Sequence, residues 1–385
     1  MLHVDRNGYY GGEDAGFSLQ DAREWVEALQ THPSSIFSDA NIEELQSDSG
    51  PSVLRSARSY TLSLNPQIIY AQSKFLPTLV SSQIHFQLEF LAVGSWFVHR
   101  NDNLQKIPST REDVFNDESL SMRDKRSLMK FLRYVLQKDS QDEARPAMSS
   151  TETLSEALSS KFKVPAALQA PIMALALSSS PSNHISLENA TQRIRRHMLS
   201  VGYFGPGFGG VIPKYGGNAE IAQVACRAQA VGGGAYLLGH GVDALDLDGS
   251  GELELVKVKL SDGTQVRARW VVGGVYDLPS RNSPQLASTA RSGVVTQHSI
   301  HIVADPLKDF FPATSENGPV PAVAIVLVEY EDSIEKAPIY LQIHSEDSGE
   351  CPPGQCKCYV PSACFHKDEQ PYEYLSTLPE AFEPC

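Results

Sequence analysis

Asp5 is the first residue whose type and position could do chemistry. It closes the short apolar stretch Leu-His-Val-Asp at residues 2–5, and the polar stretch Arg-Asn-Gly-Tyr-Tyr-Gly-Gly-Glu follows at residues 6–13. In doubly wound nucleotide-binding folds, an acid at the end of a strand binds the ribose hydroxyls of the cofactor. Such a site also needs a preceding strand, glycine-rich turn and helix, for which the residues before Asp5 leave no room. The segment therefore predicts a ribose-type acid without a phosphate-binding loop.

Two later segments imitate ligand-binding loops. Residues 205–210 satisfy Gly-x-Gly-x-x-Gly, but Pro213 follows where a helix should face a pyrophosphate, so we interpret them as a flexible loop. Residues 244–255 imitate a calcium loop, yet Ala244 and Leu255 stand where its two anchoring carboxylates belong. This second pattern favours a polar turn between strands.

Catalytic motifs are missing from the sequence. It contains no Gly-x-Ser-x-Gly elbow, no His-Glu-x-x-His pair and no nucleophilic cysteine signature. His85 and His301 lie on apolar segments, where a structural histidine is the more common case. We therefore predict neither catalytic residues nor a bound cofactor.

The cysteines are concentrated near the end of the chain. Five of the six lie in the last 35 residues. Cys356, Cys358, Cys364 and His366 could bind zinc, but their spacing differs from that of the usual structural modules. We favour free thiols in an irregular tail over residues 346–385, and predict no metal.

The composition narrows the class of protein. The 385 residues carry a formal net charge of −14 and no long run of Lys or Arg, which argues against nucleic acid as a partner. No leader is evident, and the longest apolar runs are about half the length needed to span a bilayer. We expect a cytoplasmic, globular protein.

The first hundred residues are predicted to mix helix and strand. Ser18, with Asp21 three residues later, forms an N-cap pattern for an amphipathic helix. Residues 63–93 are largely apolar with helical spacing, interrupted by Pro77, which should kink or end a helix. The stretch Ser-Trp-Phe-Val-His-Arg at residues 95–100 is predicted to be a strand.

The middle of the chain has a helical character and the later part a β character. Residues 105–200 contain amphipathic stretches separated by Ser-rich segments, which predicts a helical domain inserted in a sheet domain. After it, residues 251–275 alternate around Asp262 and Gly263 as a hairpin. Residues 294–304, 320–330 and 337–345 continue as strands.

Three separate segments, in order, resemble the family of Rab GDP dissociation inhibitors and Rab escort proteins. They are residues 2–13, residues 58–90 and residues 213–238, the last being similar to the family's Pro-Leu-Tyr-Gly-x-Gly-Glu-x-Pro segment. The resemblance implies a mixed α/β, FAD/NAD-binding-like fold, with a larger β-rich domain and an inserted helical domain. One departure concerns Glu220, because the glycine-to-glutamate spacing is one residue longer here and the family's proline is missing.

The resemblance implies a Rab-binding platform. In the family, the loop after the first strand and the later glycine-rich segment form it, and an aromatic anchor beside a carboxylate and a guanidinium suits such a role. The alternative is that Tyr9 and Tyr10 only cover the end of a sheet. The expected Rab-binding residues are Arg6, Tyr9, Tyr10, Glu220, Arg227 and Leu237.

The helical segment carries two further expected sites. Residues 113–132 resemble escort proteins, whose contact with the prenyltransferase uses a Phe and an Arg eleven residues apart, matched here by Phe115 and Arg126. The alternative for Phe115 is a hydrophobic staple of the next helix. An apolar slot for a prenyl chain is expected on the same helix, although a plain bundle core would have the same pattern. Its residues are Leu128, Phe131, Leu132 and Val135.

The resemblance therefore implies a non-enzymatic escort protein. Its partners would be GDP-bound Rab GTPases, the catalytic heterodimer of Rab geranylgeranyltransferase and the geranylgeranyl lipid, with transient delivery to membranes. The alternatives are a dissociation inhibitor that recycles prenylated Rab and, more distantly, a flavin-dependent amine-oxidase-like enzyme. We also expect the chain to lack the family's first strand and last part, and hence to aggregate when expressed alone. The expected divisions are residues 1–104, 105–200, 201–345 and 346–385.

Overall fold

The architecture is a mixed α/β fold built around one large sheet. The computed structural model describes residues 1–31, 36–44, 54–100, 103–108, 111–118, 120–137, 152–178, 180, 184–246, 255–274, 277–279, 296–315, 318–328 and 338–363. The helices are α1 (Leu19–Thr31), α2 (Phe75–Ser81), α3 (Arg111–Asn116), α4 (Met122–Gln137), α5 (Leu154–Glu156), α6 (Ala166–Ala174), α7 (Leu187–Ser200) and α8 (Asn218–Val231).

Short strands precede and follow the helical part of the chain. Those before it are β1 (Leu2–Asp5), β2 (Gly16–Phe17), β3 (Leu62–Ser63), β4 (Ile69–Tyr70), β5 (Phe90–Arg100) and β6 (Asn103–Lys106). Those after it are β7 (Gly210–Pro213), β8 (Ala235–Leu238), β9 (Val242–Asp246), β10 (Val256–Leu260), β11 (Gln265–Ala268), β12 (Thr296–Val303), β13 (Val323–Val328), β14 (Ile339–His344) and β15 (Cys356–Ala363).

Among the described residues, the large sheet has the strand order β12-β15-β14-β13-β5-β7-β4, with β6 paired to the far half of β5. β5 and β13 run parallel at its centre, and the other pairs are antiparallel. The strands predicted at residues 95–100, 294–304, 320–330 and 337–345 are confirmed by β5, β12, β13 and β14.

Both faces of the large sheet are buried, which explains the continuous apolar run of β13. Val326 and its alternate neighbours pack against Phe310 and Phe311 on one face. Ile325 and Leu327 pack on the other face, where Ala170 and Ala174 of α6 cover them. A strand covered on both faces needs apolar residues at every position rather than at alternate ones.

The predicted helical segment does contain α3 to α7, and these helices have a core of their own. Phe131 and Val135 of α4 are fully buried there against Leu154, Leu158 and Ile194. Because α6 also packs on the large sheet, the helices and the sheet share an interface. The domain limits at residues 105 and 200 stay a prediction.

The prediction for residues 63–93 is corrected. Only the seven residues of α2 are α-helical. The rest of the segment forms short strands and a 3-10 turn (Ile84–Gln87) before β5 begins. Pro77 is the third residue of α2, where its missing N–H removes no intrahelical hydrogen bond. Pro77 therefore lies in the first turn of a helix and does not end one.

The glycine-rich residues 205–210 form a loop that leads into β7, as predicted. Close packing accounts for its glycines better than flexibility does. A Cβ on Gly207, which has φ +84°, would lie 2.1 Å from the carbonyl oxygen of Thr314, and one on Gly209 would lie 2.7 Å from the amide nitrogen of Val201. Two backbone segments therefore approach the loop too closely for any side chain.

The predicted hairpin is confirmed by β10 and β11, which pair antiparallel around Asp262 and Gly263. The Asp262 carboxylate accepts hydrogen bonds from Thr264, and Gly263 has φ +85°. The predicted polar turn is flanked by β9 and β10, while residues 247–254 lie outside the described residues.

The prediction of an irregular cysteine-rich tail over residues 346–385 is wrong for residues 356–363, which form β15. Cys356 and Cys358 lie on β15, between β12 and β14, with both side chains in the sheet core. Both are free cysteines, together with Cys226 and Cys351. Cys364 and His366 of the zinc alternative lie outside the described residues, among which no group of three metal-ligating side chains occurs.

A buried ionic cluster ties the sheet to the segment before β3. Glu350 Oε2 lies 2.8 Å from Lys357 Nζ and 3.0 Å from His344 Nδ1, and it accepts a hydrogen bond from the Tyr359 hydroxyl. Lys357 also donates to the carbonyl of Thr61. All four side chains of the cluster are buried.

The cluster shifts the ionisation of its members. Burial opposes ionisation of Glu350, but the charges and hydrogen bonds of Lys357 and His344 lower the pKa of this carboxyl to about 2. Burial lowers the pKa of Lys357, against the opposing charge of Glu350. Glu350 is thus held ionised in the interior by its partners.

Candidate functional site

The loop after β1 and the turn after β8 lie at the same end of a small two-stranded sheet. β1 and β8 pair in parallel, with Val4 opposite Leu237. The amide of Gly239 donates to the Asn7 carbonyl at 2.8 Å, and the amide of His240 donates to the Asp5 carbonyl at 2.9 Å. Two segments more than 200 residues apart are thereby joined into one surface.

Asp5 shapes this loop from within. Its Oδ1 accepts hydrogen bonds from the backbone amide and the side-chain amide of Asn7, at 2.9 and 3.1 Å. The carboxylate thus closes a turn of its own loop. Since the glycine-rich residues 205–210 lead into a strand and not a helix, these two segments do not build the dinucleotide site that their residue types imitate.

Tyr10 lies on an aromatic stack at this end of the molecule. Its ring is 5.1 Å from the His3 ring and 5.4 Å from the Tyr236 ring, and His3 and Tyr236 stack on each other at 5.0 Å. Burial, with Cys226 nearby, raises the pKa of the half-buried Tyr10. The ring is therefore held in place and partly exposed, as an aromatic anchor should be.

Tyr9 faces the opposite way. Its hydroxyl accepts a hydrogen bond from the Trp25 indole at 3.2 Å, and its ring packs edge-on against Phe17 at 4.9 Å. These contacts attach the loop to α1. Of two adjacent tyrosines, Tyr9 fixes the loop and Tyr10 is presented on its surface.

α8 carries a carboxylate and a guanidinium, and its Cys226 lies close to Tyr10 and Tyr236. Glu220 is half-buried in the first turn of α8, and Arg227 is exposed two turns later on the same side. Burial raises the pKa of Glu220, while the charge of Arg227 lowers it. Asn218, at the start of α8, lies 3.4 Å from the Asp14 carboxylate and links the helix to the loop after β1.

The two remaining expected residues occupy different places. Arg6 is exposed, and its side chain lies over Gly241, where a Cβ would come within 3.3 Å of the Arg6 Nε. Leu237 is half-buried and alternates with Tyr236 along β8, so it faces the other side of the small sheet.

We call the surface formed by the loop after β1, the turn after β8 and α8 the platform. Of the six expected residues it carries Arg6, Tyr10, Glu220 and Arg227, and His3 and Tyr236 pack against Tyr10. His3 and Tyr236 were not among the sequence expectations. Strand alternation could have predicted them, because side chains opposite each other on paired strands lie on the same face, and His3 is opposite Tyr236 in the parallel register.

Phe115 and Arg126 lie on adjoining helices. Phe115, near the end of α3, is 48% exposed, and its backbone carbonyl accepts a hydrogen bond from the Lys125 ammonium at 2.8 Å. Arg126 is the next residue of α4 and is exposed. Ser121 and Asp124 cap α4 by reciprocal hydrogen bonds, which fixes the start of the helix.

The four residues expected to hold a prenyl chain form part of the helical core. Leu128, Phe131 and Val135 are buried, and the Phe131 ring packs edge-on against Phe162 at 5.2 Å. Leu132 is partly buried against the same core. Their contact with a lipid stays a prediction.

The sequence matches the family described as GDI, GDP dissociation inhibitor, over residues 1–355. The chain belongs to the GDP dissociation inhibitor family. This finding confirms the resemblance drawn from residues 2–13, 58–90 and 213–238.

Relatives of this GDP dissociation inhibitor family member carry two kinds of name. "Rab proteins geranylgeranyltransferase component A" of Saccharomyces cerevisiae is 32% identical over 238 residues, covering 62% of this chain and 39% of the relative. The Drosophila melanogaster protein of that name is 31% identical, covering 71% and 54%. "Guanosine nucleotide diphosphate dissociation inhibitor 1" of Arabidopsis thaliana is 26% identical, covering 78% and 63%. The chain thus spans less than two thirds of the length of each of these relatives.

Solved structures support the same fold. A Rab GDI from Plasmodium falciparum aligns over 98% of this chain and 80% of its own, with a TM-score of 0.62 and 18% identity. An oxidoreductase from Methanosarcina mazei aligns over 99% and 85%, with a TM-score of 0.54 and 13% identity. The GDI fold of this chain is therefore shared with oxidoreductases. Across the part of the chain that the structure describes, every helix is too short or too polar to cross a bilayer.

Proposed function

We propose that this chain is a Rab escort protein, a non-catalytic partner of Rab geranylgeranyltransferase. It binds a GDP-bound, unprenylated Rab GTPase, presents the C-terminal cysteines of the Rab to the catalytic heterodimer, and carries the prenylated Rab through the cytoplasm to a membrane. Membership of the GDP dissociation inhibitor family supports the Rab partner. The names of several relatives support the transferase partner.

The platform is the observation that carries this proposal. It presents a supported aromatic ring, Tyr10, at the joined ends of β1 and β8, and the adjacent α8 carries a carboxylate, Glu220, and a guanidinium, Arg227. Aromatic and arginine side chains are enriched among the residues that dominate binding energy in protein interfaces. Glu220 and Arg227 add directional, charge-assisted hydrogen bonds to a partner.

The adjoining ends of α3 and α4 support the escort branch of the family. A half-exposed ring at Phe115 and a nearby exposed Arg126 provide one apolar and one charged contact for the transferase. The staple alternative accounts for the buried half of Phe115, and the exposed half leaves contact area for a partner. A dissociation inhibitor, which recycles prenylated Rab, does not need this contact.

The prenyl chain is proposed to enter the helical core beside Leu128, Phe131, Leu132 and Val135. Exposing a geranylgeranyl chain to water costs about 0.8 kcal/mol per CH₂ group, so a carrier must cover it. Because Phe131 and Val135 are fully buried, entry requires the helices around α4 to move apart.

Rab binding can be tested with one platform variant and one matched control. Affinity for a GDP-bound Rab is measured by fluorescence titration for the wild-type chain, Arg227→Ala and Arg58→Ala. The last variant removes an exposed arginine of the 3-10 turn before β3, which is not part of the platform. We expect Arg227→Ala to weaken binding by about 2 kcal/mol and Arg58→Ala to leave it unchanged. Equal affinities for all three proteins would contradict the platform.

The escort and inhibitor alternatives are separated by binding to the catalytic heterodimer. Phe115→Ala and Arg126→Ala are compared with Phe86→Ala, which removes an even more exposed ring from the 3-10 turn after α2. Loss of binding in the first two variants alone supports an escort protein. A chain that binds Rab but not the heterodimer would be a dissociation inhibitor, and flavin absorbance in the purified protein would favour the oxidoreductase alternative.

A further inference from the structure

α4 carries a concentration of positive charge on an otherwise acidic chain. Its sixteen residues include five cationic side chains and one acidic one, Asp124, whereas the whole chain has a net charge of −14. Asp124 is engaged in capping the helix with Ser121. The rest of the helix therefore presents unbalanced positive charge.

Four of these cations form a continuous line, which we call the basic face: Arg123, Arg126, Lys130 and Arg133. Their spacing of three, four and three residues places them on one side of the helix, within an arc of about 80°. All four are exposed. The buried side chains Leu128, Phe131 and Val135 occupy the opposite side, so the basic face points away from the helical core.

The charges of the basic face are not neutralised by neighbouring acidic side chains. Among the described residues, Arg123, Arg126 and Arg133 form neither an ion pair nor a hydrogen bond with another side chain. Lys130 donates to the carbonyl of Lys161 at 3.1 Å, a contact that orients its ammonium group without neutralising it. Lys161, which lies over the Tyr134 ring, adds a further exposed cation beside it.

We propose that the basic face binds and electrostatically steers a folded protein partner with an acidic surface. The net charge of this chain repels acidic proteins, and a local row of cations reverses that field where the partner must approach. Since Arg126 belongs both to the basic face and to the proposed transferase contact, the partner is the catalytic heterodimer. This identification rests on the proposed escort function.

A bilayer with anionic lipids fits the basic face less well. Basic helices that bind membranes insert an apolar face into the headgroup region. The apolar face of α4 is instead packed in the helical core, with Phe131 and Val135 fully buried. Phe115 is 48% exposed, and its carbonyl accepts a hydrogen bond from Lys125 of α4, so the surface combines an apolar anchor with charged residues, as a small protein interface does.

The test measures association and dissociation rates of the heterodimer by stopped-flow fluorescence at several salt concentrations. The variant Arg123→Gln, Lys130→Gln, Arg133→Gln keeps Phe115 and Arg126. The matched control is the triple variant Arg58→Gln, Lys74→Gln, Lys106→Gln, which leaves the basic face unchanged. All three control positions are exposed and give the same change in net charge. Circular dichroism checks that both variants fold.

We expect the association rate constant of the basic-face variant to fall about tenfold at low salt and to converge with that of the wild type at high salt. The dissociation rate should change little, and the control variant should match the wild type. Equal rates for the two variants, with the heterodimer still bound, would overturn the basic face and leave the escort function intact. No binding of the heterodimer by the wild-type chain would overturn both.

Membrane binding is distinguished in the same series. The variants are sedimented with vesicles containing phosphatidylserine and with vesicles of neutral lipid alone. If the basic-face variant loses binding to anionic vesicles while its association with the heterodimer is unchanged, the face contacts membranes and the proposal is wrong. A fall in association rate with unchanged vesicle binding supports it.

Discussion

The buried ionic cluster and the platform use the same kinds of side chain in opposite ways. In the cluster, Glu350 and Lys357 are fully buried and form an ion pair with each other. In the platform, Glu220 is half-buried and Arg227 is exposed, both on α8. A carboxylate beside a cation therefore has a structural role in the cluster, whereas in the platform we propose a binding role. Burial decides between the two roles, because a charge can contribute to a partner only where the partner can reach it.

The largest effect should follow from breaking the buried cluster. Glu350→Leu leaves the Lys357 ammonium buried without its counter-ion, and the loss of one partner of a buried pair typically costs about 3–5 kcal/mol. The free energy of unfolding in urea measures it. The double variant Glu350→Leu, Lys357→Met removes both charges and should recover part of the loss. No recovery in the double variant would contradict this interpretation of the pair.

Acid should weaken the same cluster over a defined range of pH. The pKa of Glu350 falls from its ordinary value of 4.5 to about 2 in the folded chain. As the pH falls, the unfolded chain therefore takes up this proton first. The stabilisation by Glu350 is complete above pH 4.5 and is lost as the pH falls toward about 2.

Urea unfolding of the wild type and Glu350→Gln from neutral pH downward measures this loss. We expect the difference in unfolding free energy between the two proteins to shrink below pH 4.5. A difference that stays constant down to the lowest accessible pH would show that the carboxylate charge is not what stabilises the cluster.

Tyr9 and Tyr10 allow the structural and binding roles to be compared within one loop. Tyr10→Ala removes the presented anchor and should weaken Rab binding by about 2 kcal/mol with little change in stability. Tyr9→Phe removes only the hydrogen bond from Trp25, so we expect unchanged Rab affinity and a stability loss of about 1 kcal/mol. Fluorescence titration and thermal unfolding of both variants provide the measurements. Weaker Rab binding by Tyr9→Phe than by Tyr10→Ala would reverse these assignments.

The smallest effect is expected at the rim of the platform. Arg6 is exposed and lies over Gly241, so Arg6→Gln should weaken Rab binding by less than about 1 kcal/mol. The loss should also shrink at high salt, which titrations at two salt concentrations can show. A large, salt-independent loss would place Arg6 in the centre of the interface.

Local features of the fold could be predicted from the sequence. The cap of α1 at Ser18 and Asp21, the turn at Asp262 and Gly263 and the apolar run of β13 depend on neighbouring residues, and the structure confirms them. The helical prediction for residues 63–93 was wrong because it too used only local spacing. Apolar residues at helical spacing can also belong to short strands and turns.

Features that depend on distant contacts could not be predicted in this way. Lys357 and Tyr359 lie in a polar, cysteine-rich stretch that looks irregular, and they are buried in part by contacts with Thr61 and Ser63, almost 300 residues earlier. The platform residues were expected from the resemblance, but the opposite orientations of Tyr9 and Tyr10 depend on Trp25 and Tyr236. Adjacent residues of one type carry no sequence signal for such a difference.

Reconstituted lipid transfer tests the central claim most directly. The chain is mixed with an unprenylated, GDP-bound Rab, the catalytic heterodimer and labelled geranylgeranyl diphosphate, and the label entering the Rab is followed over time. The account predicts incorporation that requires this chain and is lost with Tyr10→Ala or Phe115→Ala but not with Arg58→Ala. A folded chain that binds Rab yet supports no incorporation would contradict the escort function.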